Sequence, residues 1–92
     1  MDGDSTAYAV QFSATAVKNL SRFPRNDQRR ILTQVEKLAA DPTKMRGVKR
    51  LVNYDVTYRL RVGDYRVLFE RDDVIRIIDI VDVLPRGHAY RR

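Results

Sequence analysis

The segment from Tyr58 to Val67, which reads YRLRVGDYRV, constrains the fold more than any other part of the chain. Apolar or aromatic residues alternate with arginines on both sides of Gly63-Asp64, and a period of two is typical of β-strands. A two-residue turn with glycine in first position is a common hairpin connection. The segment therefore predicts an antiparallel hairpin.

The turn also predicts which side chains share a face. A turn at Gly63-Asp64 pairs Val62 with Tyr65, and the next pair outward is Arg61 with Arg66. Side chains alternate between the two faces of a sheet. The predicted apolar face contains Val56, Tyr58, Leu60, Val62, Tyr65, Val67 and Phe69, joined by Ile75 and Ile77 if the next turn has three residues. The predicted basic face contains Arg59, Arg61 and Arg66, here called the arginine face, with Leu68 nearby.

Weaker patterns predict the remaining elements. They are a strand at Tyr8–Phe12, a helix capped by Ser13 with Val17 and Leu20 inward, a helix from Asn26 or Asp27 to Ala40 with an apolar stripe of Ile31, Leu32, Val35, Leu38 and Ala39, a basic loop at 43–53, and a last strand at Val74–Val83. The order β-α-α-β-β-β predicts one α+β domain over residues 1–92, an antiparallel sheet with two N-terminal helices packed on one face.

Composition excludes several classes of protein. The chain has no cysteine and one histidine, so disulfides, thiol catalysis and a cysteine-ligated metal are excluded and a histidine-based metal site is disfavoured. We expect neither a metal nor a cofactor. No apolar run is long enough to span a membrane. Asp2 and Asp4 stand where a signal peptide would be apolar, so we expect a cytoplasmic protein.

Charge indicates a polyanionic partner. The formal net charge is +6. Residues 1–43 hold six basic and five acidic residues, whereas residues 44–92 hold twelve and seven. A basic half in a small domain favours nucleic acid as the partner. The alternative is a charged surface that only keeps the domain in solution.

The arginine face favours an anion site. Like charges directly opposed across two strands destabilise a sheet, so Arg61 opposite Arg66 calls for a counter-charge. A guanidinium presents a planar fork of donors that matches phosphate oxygens. The alternative is neutralisation within the chain, by Asp64, Glu70 or Asp82.

The C-terminal tail adds groups that suit RNA. Arg86, His88 and Tyr90 directly follow the last predicted strand and are expected at the edge of the arginine face. Aromatic rings stacked on bases beside arginines are a usual way to bind single-stranded RNA. The alternatives are an ordinary exposed tyrosine and a surface histidine without a role.

Three segments resemble one family. The hairpin YRLRVGDYRV at 58–67 resembles the stretch typical of RelE/ParE toxins. TKMRG at 43–47 is similar to the lysine-leucine-x-glycine segment that precedes it, and PRGHAYR at 85–91 is similar to the histidine-arginine-x-x-hydrophobic-tyrosine-arginine ending. The predicted order of elements also agrees, so the resemblance covers nearly the whole chain.

The resemblance implies a function and a partner. RelE toxins cleave mRNA in the ribosomal A site and are neutralised by a cognate, RelB-like antitoxin. Without a metal, the RNA 2′-hydroxyl would attack the adjacent phosphate. The resemblance assigns phosphate binding and proton transfer to Arg59 and Arg61, transition-state stabilisation to Arg66, a basic role to Arg86 and base stacking to Tyr90. By charge, Lys44, Arg46, Lys49 and Arg50 would contact ribosomal RNA, and His88 is a further expected RNA-binding residue.

Two other functions stay open. The ParE branch shares the fold and poisons DNA gyrase, but its members usually lack the terminal arginine-x-x-x-tyrosine arrangement. A non-catalytic RNA-binding module is the third possibility, since Pro85 stands where relatives often carry histidine and arginines replace a strand lysine. Toxicity separates the third from the first two, and purified gyrase separates the second from the first.

Overall fold

The computed structural model describes residues 7–87. Its elements are β1 (Ala9–Phe12), α1 (Ala14–Leu20), α2 (Arg25–Ala40), β2 (Val48–Arg50), β3 (Tyr58–Val62), β4 (Tyr65–Asp72) and β5 (Ile77–Pro85). They form one five-stranded sheet in the order β1-β5-β4-β3-β2. β1 pairs with β5 in parallel, and the other neighbours are antiparallel. The α+β class is confirmed, with β2 as an additional strand inside the predicted basic loop.

The predicted hairpin register is confirmed. Val62 pairs with Tyr65, and Arg61 with Arg66. Gly63 has a φ of +56°, a left-handed conformation that glycine adopts without steric cost. The alternation of the sequence therefore places the arginines of β3 and β4 on the face opposite Leu60, Val62 and Val67, as expected. Leu68 shares the arginine face, where it pairs directly with Arg59 and is buried.

The core lies between the helices and the apolar face of the sheet. It contains Ala16, Leu20, Ile31, Val35, Leu38, Ala39, Leu60, Val62, Val67, Phe69, Ile78, Ile80 and Val83. Every predicted apolar residue of β3 and β4 is buried here or packs against this cluster. One face of the sheet is thus covered, and the arginine face lies on the other.

α1 begins where the sequence predicted but faces a different way. The Ser13 hydroxyl caps it by accepting a hydrogen bond from the Ala16 amide at 3.0 Å. Leu20 points inward as predicted, but Val17 is 54% exposed and the prediction for it was wrong. Ala16 is buried instead, because residues four apart share a face of this two-turn helix.

α2 starts earlier than predicted. Its N-cap residue is Pro24, which makes no side-chain capping bond, so the prediction of an Asn26 or Asp27 cap was wrong. Proline has no side-chain hydrogen-bond acceptor, so it cannot cap the helix as asparagine or aspartate would. Four residues of the apolar stripe are buried, while Leu32 is 40% exposed.

In β5, the residues that point toward the core are not the predicted ones. The turn before it spans residues 73–76, so the three-residue turn on which the prediction for Ile75 and Ile77 depended is absent. Ile75 is 63% exposed and Ile77 is half-buried, whereas Ile78 and Ile80 are fully buried. The register shifts between Leu68 and Phe69, which returns Val83 to the core.

Among residues 7–87, neither helix combines the length and apolar character needed to cross a membrane.

Candidate nucleic-acid interface

Cationic residues pair directly with one another across the open face of the sheet. Arg61 lies opposite Arg66 on β4, and Arg59 lies opposite Lys49 on β2. β2 therefore extends the arginine face by one strand. Four positive charges on three adjacent strands repel one another, and such a cluster costs stability unless an anion is bound.

The carboxylates that could neutralise the arginine face have other partners. Asp64 forms an exposed ion pair with Arg86 at 3.9 Å. Glu70 accepts a hydrogen bond from the Thr57 amide at 3.0 Å. Asp82 accepts one from the Asn19 side chain at 2.7 Å. The structure thus disfavours neutralisation of Arg59, Arg61 and Arg66 within the described part of the chain.

Arg59 is held in place but not satisfied. Its Nη1 donates to the Gly47 carbonyl at 3.4 Å, and the same carbonyl accepts from the Arg61 amide at 3.0 Å. Gly47 has a φ of +85° and lies against the backbone of β3, a position that favours glycine. The Arg59 Nε is buried and has no hydrogen-bond partner among residues 7–87. A buried donor without a partner is costly, and a bound anion would satisfy it.

A groove of about 480 Å³ opens beside Arg59 and Arg66. Its lining consists of Lys49, Arg50, Leu51, Val52, Tyr54, Arg59 and Arg66. None of these described lining residues is acidic. The groove therefore combines positive charge with apolar and aromatic surface, the composition that suits single-stranded nucleic acid.

The structure separates the predicted site residues into groups. Lys49, Arg50, Arg59 and Arg66 line the groove. Arg61 is exposed opposite Arg66, while Lys44 and Arg46 are exposed on the segment that precedes β2. Arg86 lies beside the hairpin turn with Asp64. His88 and Tyr90 lie outside the described residues.

Sequence reasoning missed Tyr54, because the segment around it has no strand periodicity. Tyr54 lines the groove together with Leu51 and Val52. An aromatic residue that directly follows a basic segment was the available signal, since aromatic residues interleaved with basic ones are typical of nucleic-acid surfaces.

Tyr65 anchors the β3–β4 hairpin against α2, and this hairpin bears Arg59, Arg61 and Arg66. Its hydroxyl donates to the Asp27 carboxylate at 2.6 Å, and its ring centroid lies 4.5 Å from that of Phe23. This hydrogen bond, helped by burial, raises the pKa of Tyr65 above its ordinary value, because the bond requires the protonated hydroxyl. The hairpin that carries the arginine face is thus anchored to α2 through Tyr65.

Within 7–87, no three histidine, aspartate or glutamate side chains come together in a way that could hold a metal ion.

The family model described as the ParE toxin of the type II toxin–antitoxin system parDE matches residues 10–90. The chain belongs to the RelE/ParE toxin superfamily. It is accordingly a toxin of a type II toxin–antitoxin system. A comparison with curated proteins finds no match.

Solved structures agree with this assignment. The chain is 31% identical to a chain of the archaeal RelE–RelB complex from Pyrococcus horikoshii OT3, covering 90% of this chain and 99% of that one with a TM-score of 0.77. It is 26% identical to a chain of the RelBE2 toxin–antitoxin complex from Mycobacterium tuberculosis, over 95% and 100% of the two chains with a TM-score of 0.78. The isolated E. coli RelE toxin, at 14% identity, 90% and 88% coverage and a TM-score of 0.73, shares the fold.

Proposed function

We propose that this toxin is a ribosome-dependent mRNA endoribonuclease that acts in the cytoplasm. The observation that carries the proposal is the acid-free groove, in which Arg59 and Arg66 lie beside an aromatic side chain while the nearby carboxylates are bound elsewhere. Such a site is built for a phosphate next to a base. Similarity to chains of RelE complexes supports the same reading.

The chemistry needs no metal. The 2′-hydroxyl loses its proton to solvent as its oxygen attacks the adjacent phosphorus, and the bond to the 5′-oxygen breaks. The products are a 2′,3′-cyclic phosphate and a 5′-hydroxyl, whose oxygen takes up a proton from solvent. Arg59 and Arg61 bind the phosphate and assist the proton transfer. Arg66 stabilises the charge on the phosphorane, where a fixed donor has its largest effect. Arg86 completes the positive field, and Tyr90 orients the base.

Arginine is a weak proton acceptor because it stays protonated. An enzyme with this site depends on positioning its substrate. The ribosome provides that positioning by holding mRNA in the A site. Further RNA contacts come from Lys44, Arg46, Lys49, Arg50 and His88. Efficient cutting of naked RNA would contradict the ribosome requirement.

A cognate antitoxin neutralises the toxin. The similar chains from Pyrococcus horikoshii and Mycobacterium tuberculosis come from complexes of toxin with antitoxin. A net charge of +6 favours an acidic antitoxin segment that covers a large basic area. Co-expression with the adjacent small gene should therefore yield a stable complex.

The test is primer extension on ribosomes that carry a short mRNA and an empty A site. Wild-type toxin should cut in the A-site codon, and Arg66→Ala should cut about 100-fold more slowly, the usual cost of one lost charge-stabilising donor. Arg66→Lys should recover only part of the rate, because lysine keeps the charge and loses the planar fork. Arg29→Ala, which removes an exposed arginine from α2, is the matched control and should cut normally.

The second candidate is a gyrase-directed toxin, and the ParE description of the matching family model favours it. If folded, antitoxin-free protein leaves the A-site codon intact, inhibition of purified gyrase becomes the deciding assay. Gyrase inhibition that survives Arg66→Ala would assign the arginine face a binding role only.

A further inference from the structure

The groove beside the arginine face has two chemically different walls. Lys49, Arg59 and Arg66 form the cationic wall, which belongs to β2, β3 and β4. Leu51, Val52 and Tyr54 form the apolar wall, which belongs to the segment between β2 and β3. A purely electrostatic phosphate site needs no apolar wall, so the second wall indicates a ligand with an apolar part attached to its anion.

The apolar wall is positioned by its backbone. The Leu51 amide donates to the Thr57 carbonyl at 2.7 Å, which closes the segment between them into a loop. Within this loop Asn53 adopts a φ of +66°, a left-handed conformation that asparagine tolerates better than most residues. Val52 remains 71% exposed beside the groove. The loop thus presents an apolar side chain to solvent next to arginines.

We infer that this loop is a base-binding wall, on which Tyr54 stacks one base of a single-stranded nucleic acid while Arg59 and Arg66 hold the adjoining phosphate. The inference rests on the proposed function for the nature of the substrate, and it names a nucleobase contact within the described residues. A volume of about 480 Å³ lies in the usual range for sites that take one small-molecule unit, so the groove is large enough for one nucleotide.

Stacking tolerates every base, because each base has a π-face, so the wall sets the position of the strand. Tyr54 is a positioning residue in this account: it fixes where the next phosphate meets Arg59 and Arg66. Its loss should raise KM on ribosomes more than it lowers kcat, whereas loss of Arg66 should lower kcat.

The experiment measures equilibrium binding by fluorescence anisotropy, without ribosomes. The probe is a labelled single-stranded oligonucleotide of 2′-deoxy nucleotides, which carries no attacking hydroxyl and is not cut. A second probe of equal length and charge has abasic positions. Wild-type toxin should bind the base-containing probe about tenfold more tightly than the abasic one, as expected for one stacked base. Free deoxynucleoside 5′-monophosphate added as competitor distinguishes a strand site from a mononucleotide site. It should occupy the groove but compete much more weakly than the unlabelled strand, because it lacks the neighbouring phosphates that the other cationic residues bind.

Four variants complete the design. Tyr54→Leu should remove the preference for bases, and Tyr54→Phe should keep it. Lys49→Gln should weaken binding of both probes equally, because it removes charge only. Tyr8→Leu, a tyrosine at a distant pocket, is the matched control and should leave the preference unchanged. Thermal melts establish that each variant is folded.

The inference is overturned if wild type binds neither probe, if Tyr54→Leu keeps the full preference, or if the free mononucleotide competes as well as the strand. A toxin that leaves A-site mRNA intact but shows a preference that depends on Tyr54 contradicts the proposed function and supports the wall. If the toxin cuts A-site mRNA but Tyr54→Leu retains the preference for the base-containing probe, the proposed function is supported and the base-binding wall is contradicted.

Discussion

The two faces of the sheet are built from the same strands and have opposite properties. On β3, Leu60 is fully buried against the helices, whereas Arg59 is half-buried and Arg61 exposed on the other side. The covered face gains free energy from apolar burial, and the open face loses some through repulsion between cations. Because side chains alternate along a strand, one strand contributes to both faces. A residue that stabilises the fold is therefore directly followed by one that is available for binding.

The largest effect is expected on the covered face. Leu60→Ala should lower the free energy of unfolding by about 2–5 kcal/mol, because it leaves a cavity among fully buried neighbours. Urea denaturation measures this change, and oligonucleotide binding by the folded fraction should stay unchanged. Arg61→Ala, one position away, is the control. A similar loss of stability in both variants would contradict the separation of the two faces.

A smaller effect is expected where the hairpin meets α2. Tyr65→Phe removes the hydrogen bond to Asp27 and should cost about 1 kcal/mol of unfolding free energy. Because the folded state raises the pKa of Tyr65, this contribution is complete below the ordinary tyrosine value of about 10. It is lost as pH rises through the raised pKa.

Denaturation of wild type and Tyr65→Phe across pH 7–11 tests whether the stability contributed by the Tyr65 hydroxyl falls as pH rises. The difference in stability should be constant up to about pH 9 and narrow above about pH 10. Tyr8→Phe is the comparison, since the exposed Tyr8 hydroxyl makes the same kind of bond to Asp73 at 2.9 Å and should contribute less. A difference that grows at high pH would show that another group is responsible.

The open face should become more stable when its repulsion is relieved. Arg66→Gln should raise the free energy of unfolding by about 0.2–1 kcal/mol, because Arg61 then lies opposite a neutral side chain. The gain should shrink as salt screens the charges. A loss of stability at low salt would mean that the guanidinium makes favourable contacts that outweigh the repulsion.

The smallest effect concerns salt dependence. Arg61→Gln should reduce the slope of log affinity against log salt for a single-stranded oligonucleotide by about 0.7, the value for one phosphate contact. Arg29→Gln, on the helix side, should leave the slope unchanged. Equal changes in both variants would mean that binding depends on net charge and not on the arginine face.

Local patterns predicted the hairpin well because the information was local. The turn at Gly63-Asp64 and the alternation around it sufficed for the register of Arg61 with Arg66. β2 was missed because a three-residue edge strand has no pattern of its own and exists through pairing with β3. Ile75 was expected on the apolar face only if the second turn had three residues, and alternation alone does not reveal the length of a turn.

By itself, the sequence determined the order of the main elements, the two-sided hairpin and the arginine face, since these follow from periodicity and turn chemistry within short segments. Only the tertiary structure decided that Glu70 and Asp82 bind other groups, and that Lys49 and Tyr54 join Arg59 at one groove. Those outcomes depend on which strands become neighbours and how loops close over them. Long-range packing determines which strands are neighbours and how the loops close, and the periodicity of a short segment contains no information about such packing.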